Sequence, residues 1–252
     1  MDRKGYQFTI EIGGITIEIR CKYRLILEQC REYLTDKTPD IFIRSEAWNT
    51  EDKFPKDREG QVSRNNRNEP VFTDSETKES LDILRKIMAV LMQRGFLLMH
   101  GAVVEKDGEA YIFTAPSGTG KSTRLRFWME LFPDSTIVNG DKPLIRVTGS
   151  RAVACGTPWA GKEGWSSNIQ VPIRAIYLLE RAEEDSVSKI GSWQAMQTML
   201  LQTYSSLEKE QEKTRMLAQM AGKVHFFRYQ STMTKESVRM AYEAAQAAGP
   251  IQ

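Results

Sequence analysis

Histidine and cysteine are scarce in this 252-residue chain, with two of the first and three of the second. Two histidines are too few for histidine-rich metal chemistry. Cys21, Cys30 and Cys155 are odd in number and show no C-x-x-C spacing. They are expected to be reduced thiols of a cytoplasmic protein, neither a disulfide framework nor a zinc site. An excess of charge of one sign is also missing, because 35 Lys and Arg face 33 Asp and Glu. That balance gives no electrostatic footing for nucleic acid or for a membrane surface. No apolar run approaches the roughly 18 residues of a membrane span. The opening MDRKGYQFTIEIGG places charges where a signal peptide needs an apolar centre, so export is not expected. Repeats and low-complexity tracts are lacking as well. With 40% hydrophobic residues, the chain is too apolar to be disordered, and its length suits one large domain with a smaller appendage.

The remaining pattern interleaves strands and helices. Tyr6, Phe8, Ile10 and Ile12 alternate up to Gly13-Gly14, and Ile15, Ile17 and Ile19 alternate after it, which predicts a β-hairpin. Residues 25–34 have helical spacing and residues 40–44 read as a strand. Residues 49–70 turn polar and form the natural boundary, giving a β-rich N-terminal region with its connecting loop (1–70) and a second domain (71–252). A helix from Asp74 or Ser75 to about Gln93, closed by Gly95, would bury Leu81, Leu84, Ile87, Met88 and Leu91. Residues 96–104 and 110–114 read as paired strands around Lys106-Asp107-Gly108-Glu109. Beyond them come a helix at 122–131, strands at 136–138, 144–147 and 174–179, and helices at 192–205 and 208–221. A strand at 224–229 and a helix at 235–248 complete the pattern. The expected class is α/β, with α+β as its neighbour: a mixed β-sheet with flanking helices.

One segment carries specific chemistry. In AYIFTAPSGTGKST (110–123) an apolar strand enters a glycine-rich turn, and Lys-Ser-Thr opens an amphipathic helix. That is the order a phosphate-binding loop requires. Gly118 and Gly120 let the backbone around Ser117 and Thr119 turn its N–H groups toward one point, and the helix start at Lys121, Ser122 and Thr123 adds its positive dipole end. Lys121 would reach the outer phosphates of ATP, and the Ser122 hydroxyl would ligate Mg²⁺. Ala115 stands where the G-x-x-x-x-G-K-[ST] pattern begins with glycine. A plain glycine turn before an ordinary helix is the alternative, and the strand–turn–helix context argues against it.

A nucleoside triphosphate with its metal needs an acidic partner. Asp141, at the end of the strand Thr136-Ile-Val-Asn139, is the candidate, although Asn139-Gly140-Asp141 is also good turn chemistry. His100 lies by alternation opposite Met99, on a strand beside the phosphate-loop strand. Taken alone, it reads as a hydrogen-bonded core histidine, and His225 reads as structural. Residues 156–165, with Trp159, Trp165, three glycines and the pair Lys162-Glu163, read as a recognition loop more than a core element.

Together, His100-Gly101-Ala102, Ser117-Gly-Thr-Gly-Lys-Ser122 and Asp141 resemble the catalytic domain of HPr kinase/phosphorylase. Asn139-Gly-Asp-Lys-Pro143, Gly156-Thr-Pro-Trp159, Gly161-Lys-Glu163 and Val171-Pro172 are similar to the HPr-kinase-like proteins of bacteria, some of which phosphorylate a serine of a precursor peptide. The resemblance implies a fold like that of phosphoenolpyruvate carboxykinase. It places His100 near the transferring phosphate and Asp141 at the metal or the acceptor hydroxyl. HPr kinase carries two adjacent aspartates, and Gly140 stands at the second position here. With no phosphorylase signature visible, the resemblance implies a kinase alone.

The expectation is therefore an ATP- and Mg²⁺-dependent kinase acting on a hydroxyl, the serine of a protein or peptide. Lys121 and the loop amides would stabilise the transferring group. Ser122 and Asp141 would hold Mg²⁺, and Asp141 with His100 would take the proton. Lys142, Trp159, Lys162 and Glu163 are candidates for substrate contacts. The partners expected are the nucleotide and a protein or peptide acceptor, with no nucleic acid or membrane, and a homo-oligomer is left open. The rival reading is a nucleotide-binding regulator or peptide carrier without turnover.

Overall fold

The computed structural model describes residues 5–49 and 74–250. The polar stretch expected at 49–70 lies almost wholly outside them. The chain divides into two compact units, Met1–Val90 and Leu91–Gln252.

In the first unit β1 (Tyr6–Ile12) and β2 (Ile15–Cys21) form the expected antiparallel hairpin, turning at Gly13 and Gly14, both with positive φ. β3 (Ile41–Arg44) adds in parallel to β2. Period-two alternation puts Ile10, Ile12, Ile17, Ile19, Ile41 and Ile43 in the core of this unit. A short helix α1 (Arg24–Gln29) links β2 to β3, and α2 (Asp74–Leu91) follows. The sequence pattern assigned α2 to the second domain, whereas it groups with the first unit. Its Glu79 side chain, nearly inaccessible, accepts hydrogen bonds from the Lys22 and Tyr23 amides and from the Ser45 hydroxyl. Ser80 donates to Gln29 at 2.8 Å. These polar anchors set the rotation of the helix. Ser80, Ile83, Leu84, Ile87, Met88 and Leu91 are buried, and Leu81, expected on that face, is 49% exposed.

The second unit is built on a large mixed sheet. A 3₁₀ turn closed by Gly95 in the left-handed region leads into β4 (Phe96–Met99) and β5 (Gly101–Lys106). The sequence pattern suggested one continuous strand there, and the structure breaks it at His100. β6 (Glu109–Thr114) pairs antiparallel with β5, and β7 (Thr136–Asn139) pairs antiparallel with β5 on its other side. Helix α3 (Lys121–Leu131) follows β6. β8 (Leu144–Val147) and β9 (Ala152–Cys155) come next; β8 pairs with β4 and with β9. The twelve-residue β10 (Gln170–Arg181) joins the sheet together. Its first residues pair antiparallel with β9, and the rest run parallel to β6 on one side and β13 (His225–Ser231) on the other. β11 (Ser186–Ile190) borders β13, and the two-residue β12 (Thr203–Tyr204) borders β4. The sequence pattern missed β9, β11 and β12, all short.

Helices cover both faces, as an α/β sheet buried on two sides demands. On one face Tyr111, Phe113, Tyr177, Phe227 and Tyr229 pack against α3 and α6 (Lys235–Ala247) through Leu125, Trp128, Val238 and Ala241. On the other, Ile112, Ile176, Leu178 and Phe226 meet Ala195 and Met199 of α4 (Ser192–Gln202) and Met216, Leu217 and Met220 of α5 (Glu210–Ala221). Tyr111 and Ile112 are sequence neighbours that serve opposite layers. Cys21, Cys30 and Cys155 lie buried as free thiols. Among the described residues no helix is long and apolar enough to cross a membrane.

The rotation of α2 is testable. Ile83→Ala should cost about 2–5 kcal/mol, the range for a buried branched side chain, whereas Leu81→Ala should cost less than about 0.5 kcal/mol. Equal losses in urea denaturation would contradict this register.

Candidate functional site

Strand direction decides where chemistry can gather. β10 and β13 run parallel to β6, and β7 shares that direction because both it and β6 are antiparallel to β5. The C-terminal ends of all four strands therefore meet at one edge of the sheet, where ligands of open α/β sheets bind. Thr114, Asn139, Arg181 and Ser231 mark those ends.

At the end of β6 the glycine-rich turn adopts the conformation its sequence requires. Gly118 has φ 79° and Gly120 has φ 116°, both left-handed. A Cβ at Gly120 would stand 2.5 Å from the Met233 Cε. The first helical bond of α3 runs from the Arg124 amide to the Gly120 carbonyl, 3.1 Å. The amides of Lys121, Ser122 and Thr123 lie ahead of it at the positive end of the helix. Lys121 is buried and folds back on the turn, donating from Nζ to the Ala115 carbonyl at 2.8 Å and the Pro116 carbonyl at 3.2 Å. Burial pushes its ammonium below the ordinary value; the charge of Asp141 opposes that shift and the charge of Lys142 adds to it. Thr119 Oγ1 donates to the Pro116 carbonyl, and Arg181 reaches over to donate to the Gly118 carbonyl at 2.7 Å. A cleft of about 460 Å³ opens between Ser117–Thr119 and Leu179–Arg181.

Behind the turn, Arg124 is fully buried. It donates to the Thr234 carbonyl and to the hydroxyls of Ser231 and Ser237. Asp185 accepts from the Thr232 amide and from the hydroxyls of Ser231, Thr232 and Thr234. Together they fix the turn that holds Met233 against Gly120. None of these residues was singled out from the sequence, since a buried arginine in a helix has no local signature.

At the end of β7 the fully buried Asn139 organises a second turn. Its Oδ1 accepts from the amides of Asp141 at 2.9 Å and Lys142 at 2.7 Å. Its Nδ2 donates to the carbonyl and hydroxyl oxygens of Thr157 at 2.9 and 3.1 Å. Asp141 then faces His100, with Oδ1 3.4 Å from Nε2, while its Oδ2 takes the Lys142 ammonium. Burial works to raise the Asp141 carboxyl, but the His100 and Lys142 contacts outweigh it and hold the carboxyl at about 2. The break between β4 and β5 presents His100 to this edge. Its carbonyl accepts from Thr114 Oγ1 at 2.8 Å, its amide donates to the Gln202 carbonyl at 2.7 Å, and Nδ1 lies 2.9 Å from Gln202 Oε1. His225, by contrast, bonds the Gly249 carbonyl and stays structural.

Gly140 has no room for a side chain, because a Cβ there would lie 2.8 Å from the Ala160 carbonyl. The segment after β9 causes this. It crosses the end of β7, with the Gly140 amide bonded to the Trp165 carbonyl at 2.9 Å and the Ser167 amide to the Val138 carbonyl at 3.1 Å. Within the recognition loop expected at 156–165, the exposure of Trp159 is what the structure corrects. Thr157 and Trp159 are buried, so Trp159 offers no face to a substrate. The loop packs beside Asp141 at Gly161, leaves Lys162 exposed, and sets Glu163 3.9 Å from Arg126.

Thus the structure brings together Asp141, Lys142 and His100, and places the Gly118–Lys121 turn at the same sheet edge. Ser122 and Asp141 are oxygen donors of the kind Mg²⁺ takes, and Mg²⁺ is ordinarily held by one or two such groups with phosphate and water. Among the described residues no cluster of three or more His, Cys, Asp or Glu side chains forms a self-sufficient metal cage.

An α/β protein with a phosphate-loop-like turn at the carboxyl edge of its sheet is the class these features define. The chain belongs to the ScmC family, the SynChlorMet cassette proteins, whose family model matches residues 73–237. No curated protein matches the chain.

Two outcomes follow from this geometry. Gly140→Asp, which writes in the second aspartate of HPr kinase, should destabilise the fold by about 2 kcal/mol or more through overpacking, and an unchanged denaturation midpoint would refute the close approach. Asp141 is depressed from 3.8 to about 2, so its contribution is present above its ordinary value and lost as pH falls through that window. Asp141→Asn should flatten the acid limb between about pH 4 and pH 2 by on the order of 2 kcal/mol, measured by acid unfolding beside the wild type.

Proposed function

We propose that the protein is an ATP- and Mg²⁺-dependent kinase that transfers the γ-phosphoryl group to a hydroxyl, the serine of a protein or peptide. The observation that carries this reading is the Asp141–His100 pair at the edge where Lys121 and the Gly118–Gly120 turn stand, close enough that the Asp141 charge acts on Lys121. The likeness of these residues to HPr kinase supports the same reading.

Ser122 and Asp141 would hold Mg²⁺, which would supply charge neutralisation at the phosphates. The turn amides and Lys121 hold the transferring group, which needs mainly positioning and charge stabilisation. Lys121 must first leave the Ala115 and Pro116 carbonyls, which occupy it as hydrogen-bond acceptors in the present state. The acceptor oxygen forms its bond to the γ-phosphorus as the bridging bond to the β-phosphate breaks. The electron pair of that bond departs with the diphosphate. Asp141, held at about 2 and contacted by Lys142, is a weak proton acceptor and suits the metal. His100 Nε2, facing the same space, takes the acceptor's proton.

Lys121→Ala should weaken Mg-ATP binding at least tenfold by calorimetry while the fold persists. Asp141→Asn should slow transfer roughly 10²-fold, the lower range for a lost positioned charge or base. An unaltered ATP affinity in folded Lys121→Ala would remove the nucleotide assignment. Tight ATP binding with no turnover toward any serine-bearing peptide would favour a nucleotide-binding regulator instead.

A further inference from the structure

We propose that Met233 is a positioning residue of the glycine-rich turn: its thioether clamps Gly120, so that the amides opening α3 stay aimed at the phosphates of the nucleotide. The proposal rests on the nucleotide-binding reading above.

Met233 holds a backbone that its side chain does not favour. Among the described residues, Asp107 and Met233 are the non-glycine positions with positive φ, 54° and 73°. Asp107 stands in the tight turn between β5 and β6, where aspartate adopts that region readily. Methionine has no short polar side chain to compensate, so its left-handed backbone is imposed by the surroundings. The bonds that impose it lie on the same turn. The Met233 amide donates to Ser231 Oγ at 3.1 Å, and the Thr232 amide donates to Asp185 Oδ1 at 2.7 Å. Thr234 Oγ1 caps α6 by accepting from the Ser237 amide at 3.2 Å.

That backbone brings the thioether to the mouth of α3. A Cβ on Gly120 would meet Met233 Cε at 2.5 Å and Sδ at 2.8 Å, so the thioether fills the space beside the glycine. Arg124 Nη2 donates to Met233 Sδ at 3.0 Å, and the Arg124 amide donates to the Gly120 carbonyl at 3.1 Å. Gly120, Arg124 and Met233 thus form a closed ring of contacts at the residue that caps α3. The N–H groups of such a turn bind an anion only while they converge on it. Gly120, with φ 116°, has no side chain to limit its rotation, and Met233 supplies the missing limit.

Met233→Gly removes the thioether at a position whose backbone glycine adopts freely, and Met233→Leu refills the space. Each full-length variant is compared with the wild type by calorimetry, with Mg-ATP and with Mg-tripolyphosphate, which lacks a base. Hydrogen–deuterium exchange is measured on the same proteins without ligand. Met233→Gly should bind both ligands roughly tenfold more weakly. Its exchange should quicken over residues 117–125 and stay unchanged over α6. Met233→Leu should remain within about threefold of the wild type for both ligands. Unchanged affinity in Met233→Gly, a loss for ATP alone, an equal loss in both variants, or faster exchange spread through α6 would overturn the proposal. A wild type that binds neither ligand removes the nucleotide reading instead, while the exchange of the ligand-free variants still judges the clamp.

Discussion

The buried amide of Asn139 is the interaction on which the rest of the site depends. A single side chain at the last position of β7 uses both ends of its amide. The oxygen closes the turn that presents Asp141 and Lys142, and the nitrogen fastens the strand to Thr157. No aspartate could do this, because a carboxylate cannot donate to the Thr157 carbonyl. Because Asn139 is fully buried, water cannot replace any of these bonds, and losing one leaves a buried polar group unpaired at a cost of about 1–3 kcal/mol. The position of Asp141 is thus set by the sheet and by the segment after β9 together.

That dependence explains the crowding around Gly140 and Gly161. The Thr157 anchor draws the following chain across the end of β7, where its carbonyls at Ala160 and Trp165 approach Gly140 and its Gly161 meets Asp141. A second acidic residue beside Asp141 is excluded by backbone, and a flexible neighbour cannot relieve that clash. On the other side of the edge a comparable economy operates. Arg124 and Asp185 brace the Ser231–Thr234 turn, and Met233 closes on the one glycine at the mouth of α3. The glycine-rich turn is therefore supported from both flanks, by the β10 end through Arg181 and by the β13 end through Met233.

Much of this was legible in the sequence, for reasons that differ by element. The hairpin at Gly13-Gly14, the helix from Asp74 and the strand–turn–helix at 110–131 are written in local periodicity and turn residues, and the structure has them. The order of the sheet was not legible, since pairing between β10, β6 and β13 joins residues far apart in the chain. The rotation of α2 was misread because Glu79 and Ser80, polar by composition, take buried positions through hydrogen bonds to distant partners. Trp159 was misread for the opposite reason: a glycine-rich sequence suggested an open loop, whereas Asn139 and Thr157 pin it inside. Gln202 carried no signal at all. Its contacts with His100 exist only where the end of α4 meets the break between β4 and β5, about a hundred residues away in the chain. The single sign of that meeting in the sequence was His100 itself, interrupting an apolar run.

The central claim is that the turn at the end of β6 and the turn at the end of β7 form one site for a nucleoside triphosphate and its metal. Hydrogen–deuterium exchange of the full chain, with and without Mg²⁺ and a non-hydrolysable ATP analogue, tests it most directly. The account predicts that residues 116–123 and 139–143 gain protection together, at the same ligand concentration and only when both nucleotide and Mg²⁺ are present. Protection of 116–123 alone, or of neither segment at saturating ligand, would contradict it.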